Sequence, residues 1–168
     1  TSIKEFSVSY FALVMATGII SIGSFLLNMK TIAYVLFWFN LVVFPVLLFL
    51  FYARLVAYFQ EVKKDLMDHQ KGPLFFTIIA AACILGNQLI LLYHQFIMAK
   101  VLWIFAVSCW FIITYTFFTS ITIKENKPTI EKGISGAWLI IVVATQAIAI
   151  LTMLIAPMLP AGTEIMLF

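Results

Sequence analysis

Residues 74–93 read LFFTIIAAACILGNQLILLY, twenty consecutive positions without an aspartate, glutamate, lysine or arginine. An α-helix needs about 20 apolar residues to cross the roughly 30 Å hydrocarbon layer of a bilayer. Because lipid offers no partner for backbone N–H and C=O groups, a segment that spans it in this way is helical. The stretch therefore predicts a transmembrane helix.

Four other stretches share this character. The uncharged stretches are 9–29, 31–53, 74–93, 101–123 and 134–159. With flanking residues, we place the membrane spans at about 7–28, 31–58, 74–93, 100–123 and 134–159. Connections near Asn28 and His94 are short enough to force antiparallel neighbours. We predict an all-α polytopic membrane protein, one transmembrane domain over residues 1–168 whose five helices form consecutive hairpins. A mean hydropathy of +1.13 agrees with this class.

The longest mixed connection, residues 59–73, alternates charged and apolar side chains. This spacing fits a short amphipathic helix lying on the cytoplasmic membrane surface. It fits equally well a cytoplasmic extension of the second span. Pro73 suits the first turn of the third span.

Positive charge is distributed unevenly between the two sides of the membrane. Two lysines, Lys30 and Lys100, lie on one side, and eight basic residues lie on the other: Lys4, Arg54, Lys63, Lys64, Lys71, Lys124, Lys127 and Lys132. Lysine and arginine are enriched in cytoplasmic loops. We expect a multi-pass protein of a cell membrane, the bacterial inner membrane, with a cytoplasmic N-terminus. The net charge of +3 reflects this orientation and indicates no nucleic-acid partner.

The spans differ in the size of their side chains. Spans 2 and 4 are crowded with aromatic residues, whereas spans 1, 3 and 5 are rich in Gly, Ala, Ser and Thr. Bulky apolar helices suit contact with lipid, and small residues suit close helix packing or an open cavity. We therefore expect the odd-numbered helices to lie inside and the even-numbered ones outside. Small-residue stripes on these helices fit packing seams as well as the wall of a pore.

Chemistry inside the spans is restricted to hydroxyls and amides. No ionisable group lies within a span away from its ends, whereas proton relays usually carry intramembrane Asp, Glu or His. No pattern indicates a metal or cofactor site, or a nucleophile beside a base. Cys83 and Cys109 are interpreted as packing residues. The sequence favours a non-enzymatic passage for small anions, stabilised by uncharged donors.

Three strings resemble the tellurite-resistance/C4-dicarboxylate transporter family, which includes the slow anion channels of plant guard cells. They are YFALVMATGIIS from Tyr10 to Ser21, GPLFFT with AAACILGNQ between Gly72 and Gln88, and GAWLIIVVATQ from Gly136 to Gln146. The resemblance runs in order from about Ser7 to Ala156. It implies the N-terminal half of a ten-helix protein that assembles as a homotrimer, with odd helices around a central pore.

The resemblance also implies where the pore-lining candidates lie. By position they are Ala16, Thr17, Gly18, Thr77, Ala81, Gly86, Gln88, Thr145 and Gln146. The expected partners are a small anion and the lipid bilayer, and candidate anions are a C4-dicarboxylate, sulfite, a tellurite-type oxyanion or a halide. The alternative hypothesis is a non-transporting scaffold subunit of a larger membrane complex. The apolar end at Phe168 favours a piece of a longer protein.

Overall fold

The computed structural model describes residues 6–123 and 135–158, and within these ranges it contains helices and no β-strand. Six α-helices follow one another: α1 Phe11–Leu26, α2 Lys30–Ala57, α3 Phe59–Leu66, α4 Phe76–Tyr93, α5 Phe96–Ile123 and α6 Leu139–Ile155. Short 3-10 turns lead into three of them, at Val8–Tyr10, Gly72–Phe75 and Gly136–Trp138, and a fourth, Ala156–Met158, follows α6.

Five helices in the described part of the chain, taken with their leading turns, are long and apolar enough to cross a membrane. Their ranges are Val8–Leu26, Lys30–Ala57, Gly72–Tyr93, Phe96–Ile123 and Gly136–Ile155. The predicted all-α polytopic class is therefore confirmed. The limits predicted for the last span, 134 and 159, lie outside the described residues, as does the predicted connection after residue 123.

Tight left-handed turns join the helices of each hairpin. Asn28 has φ 61° and His94 has φ 53°. The N–H groups of His94 and Gln95 donate to the carbonyls of Ile90 and Leu89 at 3.0 and 3.1 Å, which satisfies the open end of α4. The next helix can then begin at once. This is why α5 starts at Phe96, four residues before the predicted limit of 100.

Helix α4 lies at the centre of the structure. About 83% of its most apolar 18-residue segment is buried inside the structure, whereas 33% or less is buried in the corresponding segment of each of the other four spans. Helices α1, α5 and α6 pack around it, while α2 packs mainly on α1 and α5 also contacts α6. The run from Ala80 to Cys83 is fully buried. Small side chains here let neighbouring backbones approach closely.

Helices α2 and α5 present large aromatic side chains outward, as their composition predicts. Trp38, Phe49, Phe111 and Tyr115 are each at least half exposed. Helices α1 and α6 bury one face each and leave the other exposed: on α6, Ala144, Ala147, Leu151 and Ile155 are buried, whereas Val142 and Ile150 are not.

The connection after α2 forms a separate helix. Helix α2 ends at Ala57, Tyr58 has φ −134°, and α3 then runs from Phe59 to Leu66. Of the two structures predicted for residues 59–73, an unbroken extension of the second span is therefore wrong. The chain returns to the central helix through the Gly72–Phe75 turn, with Pro73 near its start as predicted.

Candidate functional site

A buried chain of polar side chains joins α1, α2 and α4. Asn40 Nδ2 donates to Gln88 Oε1 at 3.1 Å and to the Val14 carbonyl at 3.3 Å. Thr17 Oγ1 lies 2.5 Å from Asn40 Oδ1 and 2.7 Å from the Leu13 carbonyl, so its single hydrogen is shared between two acceptors. Asn40 and Gln88 are both fully buried. The arrangement fixes three helices against each other.

Glycine at position 18 makes this contact possible. A Cβ added to Gly18 would lie 2.3 Å from Ile84 Cγ2 and 3.2 Å from Asn40 Nδ2. Gly86 plays a similar part on the other side of α4, where an added Cβ would lie 2.8 Å from Leu151 Cδ2. Both glycines therefore act at helix crossings.

An open groove of about 520 Å³ runs between α1, α4 and α6. Ile19, Ile22 and Gly23 line it from α1, Ile84, Asn87 and Leu91 from α4, and Val143, Gln146 and Ile150 are among its lining residues from α6. Helices α1, α4 and α6 correspond to spans 1, 3 and 5. The lining of the groove therefore comes from the three odd-numbered spans and from neither aromatic-rich helix. None of the described residues that line it carries a charge.

Two amides provide the polar groups of this groove. Asn87 is 6% exposed, and its Oδ1 has no hydrogen-bond partner among the described residues. Gln146 is exposed on the facing helix. A buried amide oxygen without a hydrogen bond costs free energy unless water or a solute supplies the donor. The groove can therefore offer amide donors and acceptors to a solute without any fixed charge.

Most other pore-lining candidates make contacts between helices. Thr77 Oγ1 lies 2.9 Å from the Val8 carbonyl and 2.6 Å from that of Leu74, and Ala81 is fully buried. Trp110 Nε1 donates to Thr145 Oγ1 at 3.0 Å. Ala16 is exposed on α1. The structure thus brings Thr17, Gly18 and Gln88 together in the buried chain and puts Gln146 in the groove. A pore-lining role for these residues stays a prediction.

Asn40 and Asn87 were not among the candidates chosen from the sequence. Asn40 is the single amide within α2, surrounded by Trp38, Phe39 and other apolar residues. An isolated amide in an apolar span needs a partner, which is a signal that composition averaged over the helix conceals. Asn87 adjoins Gln88 in the sequence, and adjacent residues of a helix point about 100° apart, so periodicity alone does not show which of the two amides borders a cavity.

A charged cluster lies at the other end of α2. Arg54 Nη2 and Lys71 Nζ bind the carboxylate of Asp65 at 2.6 and 2.9 Å. Burial raises the pKa of Asp65, but the hydrogen bonds and charges of Lys71 and Arg54 outweigh it and leave the pKa below its ordinary value. The hydrogen bond that Lys71 Nζ donates to Asp65, with the charge of that carboxylate, raises the pKa of Lys71. This cluster attaches α3 to the end of α2.

No group of three His, Cys, Asp or Glu side chains that could hold a metal occurs among residues 6–123 and 135–158. Cys83 and Cys109 are free thiols. Away from their ends, the described spans thus carry amides, hydroxyls, indole N–H groups and these two thiols as their polar side chains.

Comparison with known proteins places this arrangement in a family. The model of the voltage-dependent anion channel family matches residues 5–168, and the chain belongs to that family. An uncharacterized transporter of Methanocaldococcus jannaschii is 30% identical over 164 residues, which cover 92% of this chain and 46% of that protein. A second uncharacterized transporter of the same organism is 33% identical over 107 residues, or 60% of this chain and 30% of that protein.

The chain spans about half the length, or less, of these curated relatives. No solved structure matches it. The family resemblance predicted from the three sequence strings is confirmed.

Proposed function

We propose that the protein forms part of a membrane pathway for small anions and that the groove between α1, α4 and α6 is one wall of this pathway. The observation that carries the proposal is an uncharged groove, lined by odd-numbered spans, to which Asn87 and Gln146 contribute amides and in which Asn87 Oδ1 has no partner among the described residues. Membership of the voltage-dependent anion channel family supports it.

The physical basis is weak, reversible binding. Amide N–H groups stabilise an anion that has lost part of its hydration shell, and the absence of a lysine or arginine in the described lining leaves the ion free to move on. The carboxamide of Asn87 carries an NH₂ group as well as its buried oxygen, and the side-chain amide of Asn can adopt either of two flipped orientations. The apolar side chains around it keep the rest of the wall from binding the ion.

The motif resemblance supports finer proposals. The anion is a C4-dicarboxylate, sulfite, a tellurite-type oxyanion or a halide, and the protein acts as a homotrimer in the bacterial inner membrane. The uneven distribution of lysine and arginine supports a cytoplasmic N-terminus. The candidates that now contact other helices, such as Gly18 and Gln88, act in this proposal by holding the wall in shape.

Anion flux through the intact protein in liposomes tests the proposal. We expect chloride, sulfite or malate efflux above that of protein-free vesicles, and a reduction of several-fold in Asn87→Leu and Gln146→Leu. Gln95→Leu, which removes an exposed amide in the α4–α5 turn, is the control and should leave flux unchanged. A correctly folded wild-type protein without flux of any of these anions would refute the proposal and favour the scaffold alternative.

A further inference from the structure

A groove outside the proposed pathway lies between α3 and the end of α5. It has a volume of about 880 Å³. Lys63 and Lys64 line it from α3, and Tyr115, Thr119 and Ser120 line it from α5. Helices α3 and α5 are in contact along it.

Helix α3 separates its charges onto two faces. Glu61 and Asp65, one helical turn apart, line a different cavity together with Arg54 and Lys71. The two adjacent lysines, Lys63 and Lys64, instead line the groove beside α5. The acidic face of α3 is thus occupied by basic partners of the same chain, and its basic face borders an open space.

The cationic groups in the groove are available to a ligand. Lys63 and Lys64 are exposed and form no ion pair with any described residue. One carboxylate, Asp68, also lines the groove, but its Oδ1 already accepts the N–H groups of Gln70 and Lys71 at 2.8 and 3.1 Å. The described lining therefore contains two ammonium groups and one carboxylate that is already hydrogen-bonded. This balance of charge favours an anionic ligand.

The depth of the groove matches the headgroup layer. Helix α5 has 28 residues and is about 42 Å long, whereas the hydrocarbon layer is about 30 Å thick. The helix is thus about 12 Å longer than this layer. Because a lysine-containing connection follows Ile123, the last turn of α5 reaches the interface there. Tyr115 and Thr119 line the groove, their hydroxyls have no hydrogen-bond partner among the described residues, and such hydroxyls can bind a phosphate.

The exposed side of α5 next to this groove suits contact with acyl chains. Phe111 and Tyr115 stack one turn apart with ring centroids 6.3 Å from each other, and both rings are at least half exposed. Ile123 is 73% exposed at the end of the same helix. A soluble phosphate would use the lysines but would leave these apolar surfaces uncovered.

We propose that this groove binds an anionic phospholipid of the leaflet on the lysine-rich side, with its phosphate at Lys63 and Lys64 and its acyl chains along α5. Basic pockets beside transmembrane helices recognise anionic headgroups in this way. The proposal is independent of the anion pathway, because α3 and α5 contribute nothing to the described lining of that groove.

Native mass spectrometry of the intact protein, released from detergent containing phosphatidylglycerol or phosphatidylcholine, tests the site. We expect phosphatidylglycerol to be retained at a defined stoichiometry, and Lys63→Gln/Lys64→Gln to lower its affinity by about tenfold or more, since each interfacial lysine contributes about 1 kcal/mol. The matched control, Lys30→Gln/Lys100→Gln, removes the same charge on the opposite side and should retain the lipid.

A second variant tests the groove without changing charge. Thr119 is exposed, so Thr119→Phe should fold normally while it fills the space between α3 and α5. We expect it to lower phosphatidylglycerol retention too. Equal retention by wild type and Lys63→Gln/Lys64→Gln, an equal loss in the control, or complete competition by glycerol phosphate would overturn the proposal.

Discussion

Asn40 Nδ2 and Gln88 Oε1 lie 3.1 Å apart, and their hydrogen bond joins the aromatic-rich α2 to the central helix α4. Both side chains are fully buried, and Thr17 extends the chain to α1. Three helices are thus held together by two fully buried amides and a partly buried hydroxyl. Together with the close crossing of α1 and α4 at Gly18, this relationship positions the first hairpin on α4.

Asn40→Ala should lower the free energy of unfolding by about 1–3 kcal/mol, because it leaves buried Gln88 Oε1 without its donor and removes one of the acceptors of Thr17. In a double-mutant cycle with Gln88→Leu, we expect a coupling energy of about 0.6–1.7 kcal/mol, the range of interhelical hydrogen bonds in membranes. Steric trapping in bicelles measures both. Ser108→Ala, at an exposed site on α5, is the control. Additive effects of the two substitutions would show that the hydrogen bond is absent.

Gly18→Ala should destabilise the protein by about 1–3 kcal/mol, as overpacking does in a filled core. The added Cβ meets the β-branched side chain of Ile84, which has little freedom to move. Gly23→Ala is the matched control on the same helix, since its Cβ meets nothing within 4 Å. Equal unfolding free energies for the two variants would contradict the close α1–α4 crossing.

The Arg54–Asp65–Lys71 cluster predicts a pH dependence of stability. Because the pKa of Asp65 is lowered in the folded protein, its stabilisation is present above the ordinary value of 3.8 and is lost as pH falls through the lowered value. The raised pKa of Lys71 gives stabilisation that is present below 10.5 and is lost as pH rises through the higher value.

Thermal unfolding of wild type and Asp65→Asn across both windows checks this dependence. We expect the unfolding temperature of wild type to fall at low and at high pH. The unfolding temperature of Asp65→Asn should be lower than that of wild type at neutral pH and should fall less at either extreme of pH. Glu61→Gln, one turn before Asp65, is the comparison. A variant whose acid transition is the same as that of wild type would show that Asp65 does not carry the effect.

The indole of Trp110 predicts a structural role for Thr145. Thr145→Val keeps the shape of the side chain but removes the acceptor for Trp110 Nε1, so it should cost about 0.5–1.5 kcal/mol. Thr152→Val removes the equivalent acceptor for Trp103 and should cost a similar amount. Anion flux should be unchanged in both. A large loss of flux with unchanged stability in Thr145→Val would place this hydroxyl in the pathway instead.

The sequence was sufficient for the five spans and the outward position of the aromatic helices, because length, polarity and side-chain size act locally. It predicted that spans 1, 3 and 5 lie inside but did not single out the third, whose central position follows from how α1, α5 and α6 pack around it. Whether a given small residue faces a neighbour or a cavity depends on how helices cross, and periodicity leaves this open. Hence Thr77 and Thr145, chosen for their motifs, contact other helices in the structure.

Asn40 shows the other limit of sequence reasoning. Its importance depends on Gln88, which is 48 positions away in the chain. A single sequence holds no record of that pairing. The unpaired oxygen of Asn87 likewise becomes visible only once the positions of α1 and α6 are known.

Thiol accessibility tests most directly whether the groove between α1, α4 and α6 is a wetted pathway. In a background with Cys83 and Cys109 replaced by alanine, single cysteines are placed at Gly23 and Gln146 in the groove and at Trp38 and Phe111 on the outer helices. A small anionic thiol reagent is applied to the intact protein in liposomes. The account predicts labelling of the two groove positions, slowed by a permeant anion, and none of the two outer positions. Labelling of Trp38→Cys and Phe111→Cys, with Gly23→Cys and Gln146→Cys protected, would contradict it.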